Sequence, residues 1–213
     1  MSENTEIILK PENTEIVPAQ DNSSKIKTMW NDAGLMSKSW KMAEMLSGSE
    51  IVPQQYRGKK ADCLLAIDMG NRMGISPIMV MGASQVVQGN FSWKGQACKA
   101  LIDGCGRFEN SKYTMVGEQG QPNWGCFVQA LNRKTGDLIK GTTVTWQMAL
   151  DEGWVNKKGS KWLTMPEQMM KYRAAAFFAR TECPEVLMGY STVEEVKDVA
   201  GEEKEIEKIK ITL

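Results

Sequence analysis

A chain of 213 residues with 42% apolar side chains can bury one sizeable core, so a single domain with tails is expected. Five cysteines without a CxxC pair, and no histidine, argue against a disulfide framework and a zinc site, and no apolar run is long enough to cross a bilayer. The formal net charge of zero hides a division: residues 1–24 carry −4, residues 192–213 carry −3, and residues 25–191 carry +7. A basic body between acidic ends suits a polyanion-binding surface, and it suits equally a soluble domain with solubilising tails. The polar, acidic opening stretch has none of the parts of a signal peptide, and with the cysteine usage it points to a cytoplasmic protein.

Residues 1–24 hold two prolines, short apolar pairs and no sustained period, and read as a disordered acidic tail. From Lys25 the spacing turns helical through Met29, Trp30 and Ala33 and then from Ser39 to Leu46. Ser37 or Ser39 is the expected cap, and Gly48 and Pro53 break the pattern. Tyr56 to Lys60 reads as a basic loop. The next helix spans Ala61 to Met73, with Gly74 as its C-terminal stop, and Ser76-Pro77 starts a short helix reaching about Ala83. Gln85 to Gln88 and Phe91 to Trp93 read as a hairpin turned by Gly89-Asn90, followed by a helix from Gln96 to Gly104.

The period then changes to two. Phe108–Gly117, Trp124–Asn132 and Leu138–Trp146 are three strands with connectors rich in turn residues, so they should pair as an antiparallel meander. Trp146 to Glu152 reads as a short helix closed by Gly153, and Lys157 to Lys161 as a basic loop. A long helix is expected from about Met165 to Thr181, with Thr164 and Glu167 as a capping box, Pro166 in its first turn and Pro184 beyond its end. Ser191 to Val199 reads as one more short helix, and residues 200–213 as a charged tail. The predicted class is α+β: N-terminal helices and a β-hairpin, then a three-stranded antiparallel meander packed with a long C-terminal helix.

On the long helix, Met169, Arg173, Ala176 and Arg180 fall on one stripe, flanked by Lys171. The two arginines stand about 10 Å apart along the axis, a span of about three stacked nucleotides. The same stripe is also what a packed helix with snorkelling arginines presents. Elsewhere, cations alternate with aromatics and amides: Phe91, Trp93, Lys94, Gln96 and Lys99 in one segment; Arg133, Lys134 and Lys140 around the meander turn; Lys157, Lys158, Lys161 and Trp162 before the long helix. Single-strand binders combine cations for phosphates with flat side chains for bases. Trp124, Phe127 and Trp146 read as core, the methionines as soft core filling, and Trp93 suits core and stacking equally.

Enzymatic motifs are missing. Gly89 to Gln96 has neither the spacing nor the lysine position of a phosphate loop, Gly104-Cys105-Gly106 lacks the third glycine of a dinucleotide fingerprint, and no histidine can serve a cysteine nucleophile. Asp103 and Glu109 are a carboxylate pair of the kind a metal nuclease uses, but they sit in no recognisable pattern.

Four pieces, in order, carry a resemblance: Met73-Gly74-Ile75-Ser76-Pro77; Val87-Gln88-Gly89-Asn90-Phe91-Ser92-Trp93-Lys94-Gly95-Gln96; Ala100 to Gly106; and MPEQMMKYRAAAFFAR followed by PEVLMGYSTVEEV. From about Trp40 to Val196 the chain resembles the RecT family of phage single-strand annealing proteins. That resemblance implies a non-enzymatic protein that pairs complementary DNA strands in homologous recombination without ATP and requires no cofactor. It implies an annealing and oligomerisation core at residues 25–199. Its partners would be single-stranded DNA and the annealed duplex, further copies of itself in a ring or helical filament, a 5′–3′ exonuclease and a host single-strand-binding protein, in the bacterial cytoplasm and away from membranes. Carried over by motif, Lys94, Gln96, Lys99, Lys171, Arg173 and Arg180 would line the DNA groove. Arg133, Lys134 and Lys161 would add to it from loops, and Phe91 and Trp93 would stack on bases.

Overall fold

A computed structural model describes residues 28–198 apart from Gln88; the expected tails at 1–24 and 200–213 lie outside the described residues. The chain opens with a helical layer. Helix α1, Ala33–Ser47, starts earlier than the serines suggest, because the Asp32 carboxylate accepts the Leu35 N–H at 3.0 Å and caps the first turn. Ser37 and Ser39 lie inside the helix, and Ser39 is buried. A 3-10 turn at Gln54–Tyr56 follows. Tyr56, expected in an exposed basic loop, is buried and shares a 2.7 Å hydrogen bond with the Ser84 hydroxyl. Helix α2, Lys60–Met73, ends at Gly74 in the left-handed region at φ 66°, and α3, Pro77–Ala83, is capped by Ser76. The two helices meet closely at Gly70, where a Cβ would stand 2.7 Å from the Ile75 carbonyl oxygen.

Two small sheets follow. Strands β1, Ser84–Val87, and β2, Asn90–Trp93, form the expected hairpin, with Val87 opposite Asn90. The other edge of β2 pairs in parallel with Ser191–Thr192, numbered β7 below, a contact across about a hundred residues that no local pattern announces. Helix α4, Gly95–Gly104, leads to β3, Phe108–Val116, which pairs antiparallel with β4, Gly125–Asn132. A bulge between Glu109 and Lys112 places Asn110 at φ 53°.

The stretch expected as one third strand is two. Strands β5, Leu138–Lys140, and β6, Val144–Thr145, both pair with β4, and the chain between them carries Gly141. Gly141 donates to the Val128 carbonyl, and a Cβ on it would stand 2.8 Å from the Phe178 ring, so the strand passes directly under the long helix. Helix α5, Trp146–Asp151, is capped by the Thr145 hydroxyl.

The long helix α6, Pro166–Glu182, matches the expected span and lies against β4 and α4. Ala174, Ala175, Ala176 and Ala179 are buried and keep its backbone close to its neighbours. The expected capping box does not form: Met165 is the N-cap residue, the Thr164 hydroxyl donates to the Lys161 carbonyl, and Glu167 is drawn to Lys171. Pro184 ends α6, as its ring geometry requires, and opens a 3-10 turn at Pro184–Leu187. After β7 the chain forms α7, residues 193–198. The T-x-x-E box is here: Thr192 Oγ1 accepts from the Glu195 N–H and Glu195 Oε2 accepts from the Thr192 N–H. Trp124 and Phe127 are core residues, as expected, whereas Trp146, also expected in the core, is half-buried against it. Among the described residues no helix is long and apolar enough to cross a membrane.

Candidate nucleic-acid interface

Two residues of the stripe on α6, Met169 and Arg173, line a cleft of about 860 Å³, while Ala176 and Arg180 lie outside its lining. The turns between α5 and α6 form one wall, with Trp154, Lys157, Lys158, Lys161 and Trp162, and α7 forms the other, with Glu194, Lys197 and Asp198. Ser160 shapes the basic loop: its hydroxyl donates to the Trp154 carbonyl and accepts from the Trp162 N–H, which folds the loop back over the two indoles. The Trp154 and Trp162 rings lie 5.5 Å apart, and Trp162 continues through Trp146 to Trp124. A line of tryptophans thus ties the cleft wall to the sheet.

Arg173 is the cleft floor. It is only 5% exposed, an unusual depth for a guanidinium. Its charge lies 4.2 Å above the Trp154 ring, a cation–π contact, and its Nη2 donates to Asp198 Oδ2. Lys157 Nζ donates to the other oxygen of Asp198 at 2.6 Å, so one carboxylate serves two cations. Arg173 Nε has no partner, and neither has the buried Glu194 Oε2. Both atoms are buried beneath the cleft lining, the Glu194 oxygen over Gly95.

The second arginine of the stripe sits differently. The Arg180 side chain is 42% exposed and grips Glu195 with two bonds, Nη2 at 2.6 Å and Nε at 3.2 Å. Residue Gly95, at the start of α4, lies under Glu194, where a Cβ would stand 3.0 Å from Oε2. The two expected binding segments, on α4 and α6, thus meet at α7.

The remaining expected site residues scatter. Lys161 stands exposed at the cleft rim. Lys171 is on the flank of α6 and pairs with Glu167 at 2.5 Å. Lys94 donates to the Gly82 carbonyl at 2.7 Å and lines a separate shallow pocket with Gln55 and Gln85. Gln96 is exposed on the first turn of α4, and Lys99 pairs with Asp103 at 2.6 Å. Arg133 donates to the Phe108 carbonyl, and with the exposed Lys134 it occupies the turn after β4. Phe91 is half-buried, with its ring against Trp93 at 5.1 Å and Tyr190 at 4.7 Å. Trp93 is a correction: it is 0% exposed and donates to the Leu187 carbonyl at 3.1 Å, so it offers no face for a base.

Other polar groups are engaged within the fold. Asp103, half of the carboxylate pair, holds Lys99 and the Ser111 hydroxyl. Burial pushes the thiols of Cys98 and Cys183 up to about 12 and that of Cys126 up to about 11. The Arg107 guanidinium, hydrogen-bonded at 2.8 Å, holds the Glu185 carboxyl below the usual carboxylate range. Sequence reasoning missed Trp154, Lys197 and the three acids of α7. The T-x-x-E spacing of Thr192 and Glu195 was the available signal for α7, while nothing local to Trp154 marks it as the platform for a residue nineteen positions later. No family model, curated protein or solved structure matches this chain.

Proposed function

We propose that this chain is an ATP-independent single-stranded DNA-binding and strand-annealing protein of the RecT type. The observation that carries the reading is the cleft: a guanidinium on an indole at its floor, and Lys157, Lys158 and Lys161 along its wall. Cations of this kind take phosphates, each releasing counterions, while the groove leaves bases turned outward. Neutralising both backbones removes the repulsion between complementary strands, and pairing is then downhill without nucleotide hydrolysis. In this reading β3, β4 and the β5–β6 edge, with α6 across them, are the annealing core. Copies of the chain align their clefts in a ring or filament in the bacterial cytoplasm. A 5′–3′ exonuclease supplies the single strand, and a host single-strand-binding protein hands it over.

The test is a salt-titrated annealing assay with two complementary fluorescent oligonucleotides added in sequence, without ATP. Faster pairing than protein-free DNA, with the duplex retained on the protein, is the expected result. Binding that slows pairing would make the chain a protective coat. Magnesium-dependent shortening of the strands would make it a nuclease, and an ATP requirement would refute the annealing mechanism.

A further inference from the structure

Every carboxylate of α7 meets the binding segments. Asp198 holds Arg173 and Lys157, Glu195 holds Arg180, and Glu194 lies over Gly95 with a buried oxygen that has no partner. The two arginines that mark the stripe on α6 are thus both answered by acids three residues apart on one face of α7. Lys197, on the same helix, is exposed and lines the cleft rim instead.

The attachment of α7 rests on ion pairs more than on apolar packing. It is entered from a two-residue parallel pairing, Ser92 with Ser191 and Trp93 with Thr192, and within residues 193–198 only Val193 is buried. The Arg180–Glu195 pair is partly exposed, the kind of contact that holds weakly and yields to competing ions. The unpartnered Arg173 Nε shows that Asp198 satisfies the floor of the cleft incompletely.

We infer that α7 is an anionic plug: its carboxylates stand where strand phosphates bind, so a single strand loads by displacing α7 from Lys157, Arg173 and Arg180. The ligand class is a phosphodiester backbone, and the inference rests on the strand-binding reading above.

The test uses the full chain, an oligothymidylate and three variants. Glu195→Gln drops the charge while its amide oxygen still accepts the Thr192 N–H, so the helix cap survives. Glu195→Gln/Asp198→Asn removes both competing charges, and Glu109→Gln is a charge-matched control on β3. Oligothymidylate binding is followed by fluorescence anisotropy, and amide exchange over 191–198 by mass spectrometry. Glu195→Gln should tighten binding about two- to fivefold, the scale of one partly exposed ion pair, and Glu109→Gln clearly less. Adding the oligonucleotide to the parent protein should speed exchange in α7. Equal binding by parent, Glu195→Gln and Glu109→Gln, with α7 exchange unchanged or slowed, overturns the plug and leaves strand binding standing. Binding by the double variant alone supports it. Failure of every protein to bind overturns the plug and the strand-binding reading together.

Discussion

Replacing Arg173 separates what the cleft floor does for the fold from what it does for a ligand. Arg173→Ala removes a charge-assisted hydrogen bond worth about 1.5–3 kcal/mol and a desolvated cation–π contact worth about 2 kcal/mol. It also empties the volume of a nearly buried stem, which in cores costs about 2–5 kcal/mol. Against these stands the return of the guanidinium desolvation penalty, several kcal/mol by order of magnitude, enlarged by the unpartnered Nε. Asp198 is not abandoned, since Lys157 remains 2.6 Å away. The net expectation is a loss of about 2–3 kcal/mol, or a fall in Tm of about 4–12 °C for a domain of this size. Arg173→Met keeps the volume and surrenders both the charge and its desolvation cost, so it should stay within about 1 kcal/mol of the parent. In a salt-titrated oligothymidylate binding assay, the Met variant should lower the log–log slope by about 0.7, the share of one phosphate on a single strand. A Met variant that melts as low as the Ala variant would show that the ion pair, not the packing, stabilises the floor. A Met variant with an unchanged slope would refute Arg173 as a phosphate ligand.

Gly141→Ala should destabilise the chain by about 1–3 kcal/mol, because its Cβ meets the Phe178 ring between β5 and β6; an unchanged urea midpoint would mean that α6 sits further from the sheet than described. Trp93→Phe should cost about 1–3 kcal/mol, from one lost hydrogen bond and the indole volume it empties, while the Leu187 carbonyl keeps the Tyr190 N–H at 2.9 Å and strand affinity is unchanged; a several-fold affinity loss at an unchanged melting midpoint would restore a stacking role. At pH 8, Cys98 and Cys183 should resist a thiol reagent, since a thiol at about 12 is about one part in ten thousand thiolate, and the half-buried Cys105 should react first. Unfolded thiols titrate near about 8.5, so above that pH the unfolded chain sheds protons that the folded chain keeps. Stability should therefore fall as pH rises from about 9 towards 12; melts showing no fall across that window would refute deep burial of these thiols.

Much of the helical part of the fold was legible in the sequence because its signals are local. Gly74, Ser76-Pro77 and Pro184 each set a backbone angle or remove a donor within one or two residues of an element end, and the structure places the ends there. Thr164 misled because a T-x-x-E spacing is only an opportunity: its hydroxyl found the Lys161 carbonyl and Glu167 found a lysine one turn on. The same spacing at Thr192 was honoured, since Glu195 is also held by Arg180 and so stays oriented towards the cap. The break between β5 and β6 follows from the passage of Phe178 over Gly141, a contact between residues 37 apart that alternation cannot encode. The stripe on α6 was readable as a stripe. Its depth was not, because the partners that let Arg173 be buried are Trp154, nineteen residues before it, and Asp198, twenty-five after it.

The parallel pairing of β7 with β2 fixes where α7 is moored. Thr192 is fully buried beside Trp93, so the last secured point before α7 is one residue from its first turn. An acidic segment on so short a leash stays at an effective concentration of order millimolar at its own cleft, whatever the concentration of the protein. Dilution therefore cannot strip it away, whereas competing anions and raised salt weaken its hold. If α7 is the plug proposed above, a strand that meets Lys157, Arg173 and Arg180 together would displace it more readily than a single phosphate, so the mooring would make entry depend on strand length.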